Sequence, residues 1–444
     1  MKIKSYKKKI KILFMIDSKK RDLINLFLLS KLLERNSYEV FFCRNGLELP
    51  FIIKHNIDLV ILTQLLSKEW INLADKIQKL GCLVISLHSE GHPHMYKKKI
   101  FLAKGPINSY ECLDAVFIWT KNQKKLFDRF NKNLRTYFVG YPRFISLQKK
   151  NEYFRKNLSE ITLDNNFLKI KNTFKVKMLL ATNFFRADYY DYKSEKKFIN
   201  EKKGIVNLKI ASDSRKKFIK FFNEITKHKE IMFILKIHPM EKADLYLKNI
   251  IQKKNVFISI NDYIEAILPE IDYLLARSCH TQYEAIALKK QAIELSLFKN
   301  DDYKNKENKE NLYTIRNLND FNLIKKKILN KKLKKNSKFI NRVKNNFLFS
   351  DGKAQAEQNI LNAIKDVSSL VKKKNIKLRD KIYYILKYYF FTIFDFKFHD
   401  MIIQKNKLKK INGKNYYVDY RNRIDKHFHY NDINVLENAL KKKN

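Results

Sequence analysis

The chain has 444 residues, 45% of them hydrophobic, enough apolar material for two cores of ordinary size. Its 92 basic and 45 acidic residues give a formal charge of +47, a balance that ordinarily points to nucleic acid or an anionic membrane. The lysines are spread along the whole chain rather than gathered in one arm, and glycine (8) and proline (6) are scarce, so the bias reads as that of an AT-rich genome and excludes a specific nucleic-acid module.

Four cysteines, Cys43, Cys82, Cys112 and Cys279, stand far apart and form no metal-type pair, which implies a reducing compartment without structural disulfides or zinc. The basic start, residues 1–9, is followed by a short run that contains Lys11 and ends at Asp17, so it reads as a first strand and not as a signal peptide. No stretch of about 20 uncharged apolar residues is present, and no transmembrane helix is expected. The expected location is the cytoplasm, with a peripheral position at the inner face of the plasma membrane as the alternative.

In chain order, Lys11–Ile16 predicts a strand and residues 17–22 a polar loop that carries Arg21. A helix over 23–33 follows, with Asp22 as its N-cap. Strands at 39–43, 59–63 and 82–87 alternate with helices at 47–55 and 70–80, the latter closed by Gly81. Such alternation indicates a Rossmann-like half. The fourth strand ends at His88-Ser89-Glu90-Gly91-His92-Pro93-His94. Three histidines are metal-ligand types, but they lack the helical i, i+4 pairing. Glu90 offers a carboxylate that can take the proton of an attacking hydroxyl. A surface turn is the plain alternative.

A strand over 114–119 and a helix over 120–130 lead to Val139-Gly140-Tyr141-Pro142-Arg143, where Gly140 permits an unusual backbone turn. Arg143 is a candidate for the binding cleft or an ordinary surface arginine. Residues 148–175 are charged and lack a clear period, and read as an interdomain connection. The strand Val176–Ala181 ends at Thr182-Asn183, which by position would face the cleft. Residues 186–205 read as a loop and 212–228 as a helix.

The stretch from Ile231 to Leu297 organises the rest. One apolar run, 231–235, ends in His238-Pro239, and a second, Tyr273–Ala276, stops at Arg277-Ser278-Cys279-His280-Thr281. Tyr283, Ile286 and Ala287 then repeat at helical spacing before a strand at 292–297, completing one crossover of a parallel sheet. Function in such sheets lies where strands end at their carboxyl side. The start of the helix suits a phosphate. Glu284 is placed either for a ribose hydroxyl or as the capping partner of Thr281. Residues 299–311 are a charged loop, and Asp301-Asp302 within it is assigned no metal. A basic helical stretch, 323–349, precedes Asp351-Gly352 and a helix at 354–370. In the tail, residues 382–398 carry aromatic and aliphatic side chains on nearly every face among a few charges. They suit either an anionic membrane interface or packing on the body.

His238-Pro239, the Ser/Thr loop, Glu284-Ala285, Glu90-Gly91, the Gly-x-Pro-Arg at Gly140–Arg143 and Thr182-Asn183 together resemble GT-B glycosyltransferases. The likeness is closest to bacterial surface-carbohydrate biosynthesis proteins. CMP-sialic acid and Kdo transferases, glycerophosphotransferases and UDP-sugar 2-epimerases are more distantly similar. The resemblance covers residues 8–365 and departs at Arg277-Ser278, where the family has a glycine, and at Lys289-Lys290-Gln291, where it has Gly-Lys-Pro. It implies an α/β fold of two Rossmann-like domains facing a cleft, with a C-terminal helical tail. The domains would be 1–147 on the acceptor side, a connection at 148–175, a nucleotide-binding domain at 176–370 and a basic aromatic tail at 371–444. It further implies metal-independent, inverting transfer from a nucleotide sugar, with a CMP-activated acidic sugar favoured, to a lipid-linked or polysaccharide acceptor. No separate cofactor is implied. Glu90 beside Gly91 would be the base. His238, Pro239, Ser278, Thr281 and Glu284 would hold the nucleotide, and Arg21, Arg143, Thr182 and Asn183 would line the cleft. The alternatives the resemblance leaves are a glycerophosphotransferase-like polymer enzyme and an epimerase-like isomerase; the isomerase would need a second carboxylate opposite Glu90, and none is evident.

Overall fold

The computed structural model describes residues 9–44, 47–63, 68–87, 111–120, 123, 133–191, 202–239, 241–260, 262–277, 279–297, 312–334, 337–347, 349–350, 353–372, 376–393, 409–411, 414–416 and 430–441. The chain divides into two compact units. The first comprises 1–149, 344–405 and 426–436, the second 150–343, 406–425 and 437–444.

The first unit is built on six strands: β1 (Lys11–Ile16), β2 (Glu39–Arg44), β3 (Leu59–Leu62), β4 (Leu83–Leu87), β5 (Ala115–Ile118) and β6 (Arg135–Phe138). They lie side by side in the order 2-1-3-4-5-6, every pair parallel. A sheet covered on both faces needs strands that are apolar throughout. Accordingly, every residue of β3 and β5 is buried. The helices Ile24–Arg35, Glu48–His55 and Lys68–Lys79 connect the early strands. Asn56 in left-handed backbone ends the second of these helices, and Gly81 at φ 76° follows the third. Gly140, at φ 87°, takes the positive-φ turn expected of it after β6.

The second unit repeats the plan with β7 (Val176–Ala181), β8 (Ile231–Lys236), β9 (Val256–Ser259), β10 (Tyr273–Ala276), β11 (Gln291–Leu295) and β12 (Tyr313–Ile315). The order is 9-8-7-10-11-12, again all parallel, which is the 3-2-1-4-5-6 arrangement of a dinucleotide-binding sheet. Each unit has its own apolar core. One gathers Leu13, Val60, Val84 and Val116, the other Met178, Phe233, Leu275 and Ile293.

One device recurs at the amino ends of both sheets. Asp58, Asp114 and Asp272 stand immediately before β3, β5 and β10. Their backbone N–H groups donate to the carbonyls of Lys11, Val84 and Lys177. Their carboxylates accept the N–H of those same residues, at 3.0, 2.7 and 2.9 Å. Each aspartate thus closes the start of a parallel pair and fixes its register.

Several expectations need correction. Asp22 does not cap the first helix. It sits in a π-helical turn, Lys19–Leu23, where it is buried, accepts the Ser18 N–H at 3.1 Å and pairs with Arg21. Residues 186–205 are not all loop, because Phe185–Asp191 and Lys202–Ile225 are helices. The stretch 148–175 contains the helices Glu152–Thr162 and Asn165–Ile170. Asp164 caps the second by accepting from the Asn166 and Phe167 N–H groups at 2.7 and 3.1 Å. The basic run 323–349 is two helices, Leu318–Leu329 and Ser337–Asn346.

Candidate functional site

Strand order locates the site. In the second sheet β7 connects outward to β8, and the later crossover places β10 on the other side of β7, so the switch point lies between β7 and β10. The register brings Ala181 level with Lys236 on one side and Ala276 on the other. The residues that follow, Thr182-Asn183, Ile237-His238 and Arg277, therefore emerge together at the carboxyl ends of three adjacent strands.

Arg277 dominates this edge. It is buried, its Nη1 donates to the Asn183 carbonyl at 2.9 Å, and its guanidinium lies 5.1 Å from the Phe184 ring centroid. The residue that stands where the resemblance expects a glycine is thus a fixed cation bridging the two strand ends of the switch point. Thr182 is buried, and its hydroxyl serves the neighbouring backbone: Oγ1 accepts the His238 N–H at 2.8 Å, while the Thr182 N–H donates to the Lys236 carbonyl at 3.0 Å. Thr182 therefore positions the His238 backbone. The imidazole of His238 stacks on Phe185, ring centroids 5.9 Å apart and 28° from parallel. Pro239 beside it is half-buried.

Beneath this loop lies a buried polar network that the sequence reading missed. Glu241 accepts the Phe184 N–H at 2.6 Å and the Tyr246 hydroxyl. Asp188 accepts the Lys242 N–H at 2.8 Å and pairs with Arg215, which also reaches Asp191. The His-Pro loop is held at two consecutive residues, Glu241 and Lys242, by groups that also anchor the residues after β7. Burial pushes the Glu241 carboxyl up to about 7 against the pull of its Tyr246 and Phe184 donors. For Arg215, burial works to lower the pKa, but the Asp188 carboxylate outweighs it and keeps the guanidinium charged. The available signal was slight: Glu241 stands two residues beyond Pro239, and Arg215 is one cation among the many of a basic helix.

The helix after Arg277 is Thr281–Ala287, with His280 as N-cap in helical backbone and no side-chain cap. The expected Thr281–Glu284 capping box is therefore not formed. Thr281 is already inside the helix, its Oγ1 takes a contact from the Cys279 thiol at 3.3 Å, and Glu284 is buried. Gln282, fully buried, ties the loop down instead: its Nε2 donates to the Ala276 carbonyl at 2.9 Å and to Glu294 on β11 at 2.8 Å. Ser278 lies outside the described residues, as do Glu90 and Gly91.

In the first unit, Arg21 sits on the turn after β1, beside the switch point between β1 and β3. It forks onto Asp22 at 2.7 and 2.9 Å and reaches Asp17 at 2.8 Å. Arg143 lies on the short turn Pro142–Phe144 after β6, half-buried, its carbonyl accepting from the Ser146 hydroxyl at 3.4 Å. Among the described residues no group of three or more His, Cys, Asp or Glu is placed to hold a metal ion.

Fold and strand ends define an α/β protein of two Rossmann-like units, the second with dinucleotide-type strand order. The chain is similar in structure to the wall teichoic acid polymerase TagF, at 12% identity and TM-score 0.49, covering 82% of this chain and 90% of that one. It is also similar to the UDP-GlcNAc 2-epimerase of Methanocaldococcus jannaschii, at 17% identity and TM-score 0.48, with 81% and 100% covered. A third likeness is to S. aureus MnaA in its structure with UDP, at 12% identity and TM-score 0.48, with 84% and 100% covered. No protein-family model matches the chain, and no curated protein does. The fold assignment rests on strand order and register.

Proposed function

We propose that the chain is a glycosyltransferase acting on a nucleotide-activated sugar, with the nucleotide held at the carboxyl ends of β7, β8 and β10. The observation that carries this reading is Arg277, a buried guanidinium at the switch point of a 3-2-1-4-5-6 sheet, one residue past Ala276, which lies level with Ala181 and Lys236. A fixed cation there favours the negative charge that grows on a leaving phosphate, at no cost in reorganisation during the reaction. His238, Pro239, Ser278, Thr281 and Glu284 complete the proposed nucleotide site. Asn183, Arg143 and Arg21 remain candidates for substrate contact, and Thr182 acts through His238. The acceptor hydroxyl attacks the anomeric carbon, the bond from that carbon to the phosphate oxygen breaks, and Glu90 takes the hydroxyl proton. The favoured donor is a CMP-activated acidic sugar and the favoured acceptor a surface polysaccharide or its lipid-linked precursor, with inversion at the anomeric carbon and no metal.

Thermal shift against CMP, CDP, UDP and GDP tests the nucleotide site, because a ligand bound only by the folded state raises its melting temperature. One nucleotide is expected to stabilise the wild type and to lose most of that effect in Arg277→Ala. Glu90→Gln is expected to keep the shift and lose transfer by about 100-fold or more. Wild-type turnover in Glu90→Gln removes Glu90 from the role. Conversion of UDP-GlcNAc to an epimer without acceptor replaces the transferase reading with an isomerase one.

A further inference from the structure

The helix Leu378–Ile393 belongs to the first unit and packs on the helix Glu48–His55 through one face. Tyr388 sets its ring against Phe51 at 6.2 Å and against His55 at 5.8 Å, and Lys54 meets the Tyr389 hydroxyl. The side turned away carries an apolar row with the exposed Arg379 at its border. Leu378, Ile382 and Leu386, at i, i+4 and i+8, are 72%, 51% and 64% exposed, with Tyr383 beside them at 57%. Three large aliphatic side chains in one exposed row are not explained by packing within the unit, and a contiguous apolar patch marks an interaction surface.

Charge identifies the partner. Between Val371 and Ile393 the sequence holds Lys372, Lys373, Lys374, Lys377, Arg379, Lys381 and Lys387 against a single acid, Asp380. At about 100° per residue, Lys381 and Arg379, both exposed, fall on opposite sides of the apolar row. Lys387 lies 5.9 Å from the Tyr383 ring centroid. An apolar stripe edged by basic residues and tyrosines is the pattern of a helix lying in the headgroup layer of an anionic bilayer. A second copy of the chain is the weaker occupant, because pairing these faces would bring two sets of the same cations together, on chains that each carry +47. The described 16 residues of the helix reach roughly 24 Å, short of a hydrocarbon core of about 30 Å. Among the described residues no helix is long and apolar enough to cross.

We infer that the outer face of the Leu378–Ile393 helix docks the protein on anionic lipid, with Leu378, Ile382 and Leu386 in the acyl boundary and the flanking basic residues on lipid phosphates. The whole 444-residue chain is sedimented with vesicles of phosphatidylcholine alone and of phosphatidylcholine with phosphatidylglycerol. Binding is expected only to the mixed vesicles and should weaken with salt. Ile382→Glu/Leu386→Glu, whose sites are exposed, should leave the melting temperature unchanged and weaken binding by about tenfold or more. Arg379→Glu/Lys381→Glu, both at exposed sites, should weaken it with a shallower salt dependence. Wild-type protein that stays with the supernatant, or a glutamate variant that binds equally well, overturns the inference. So does a wild-type dimer in lipid-free solution that the Ile382→Glu/Leu386→Glu change dissociates.

Discussion

Glu241 is a carboxyl sealed under the loop that presents His238, and its environment makes stability depend on pH. Burial raises its folded-state pKa from 4.5 to about 7, so folding favours the protonated form. The stabilisation is fully present below about pH 4.5 and is lost as pH rises through about 7. The melting temperature of the wild type should therefore fall from pH 5 to pH 8 more steeply than that of Glu241→Gln, which keeps an acceptor for the Phe184 N–H and cannot ionise. The difference between the two is on the order of 3 kcal/mol across the window. Parallel profiles for the two proteins would remove Glu241 as the source. Residue identity along the sequence disclosed His238-Pro239 because an imidazole and a proline at a strand end are distinctive. It did not disclose Glu241 or Arg215, since nothing in a run of charges marks the ones that fold inward. Arg277 was visible only as a departure from a glycine, and its bridging of two strand ends is a fact of register.

At the level of strands and helices, Asp58, Asp114 and Asp272 do the same work in three places, and this is open to test by simple substitution. Asp58 is buried and accepts the Lys11 N–H at 3.0 Å. Asp58→Ala leaves that amide without its acceptor, which costs about 1–3 kcal/mol. Denaturant melts should show this loss in full for alanine and a smaller one for Asp58→Asn, which retains an oxygen. Equal loss in both would mean that charge and not the hydrogen bond matters. The strands flanking these aspartates were legible because a buried parallel strand is a continuous apolar run. The edge strands β9 and β12 were not, being three or four residues long and mostly half-buried. The helix Glu152–Thr162 escaped for a different reason: its buried residues include Arg155, Asn157 and Ser159 beside Phe154 and Leu158, so polar residues occupy core positions and blur the period.

Across the whole molecule, the tail gives residues to both units, which the sequence had no means to announce. An aromatic helix with tyrosines on most faces does not say which of them pack. Tyr384 and Tyr388 are half-buried, while Leu378, Ile382 and Leu386 are exposed. The last helix, Tyr430–Lys441, supplies Asp432, which pairs with Lys19 at 3.4 Å in the first unit, and Ala439, whose carbonyl accepts from Asn157 at 2.9 Å in the second. A chain ending at Leu370 therefore uncovers Phe51 and His55 in one unit and removes the Ala439 carbonyl that the buried Asn157 amide donates to in the other. Each loss is worth about 1–3 kcal/mol. Melting of both units should move to lower temperature. Arg277, Thr182, His238 and the strands that carry them all remain, so the nucleotide that stabilises the full chain should still raise the melting temperature of the shortened one. A shortened chain that melts like the full one would show that the tail only adheres to the folded units. One that melts lower and also no longer responds to any nucleotide would show that the switch-point site depends on more of the chain than the sheet that displays it.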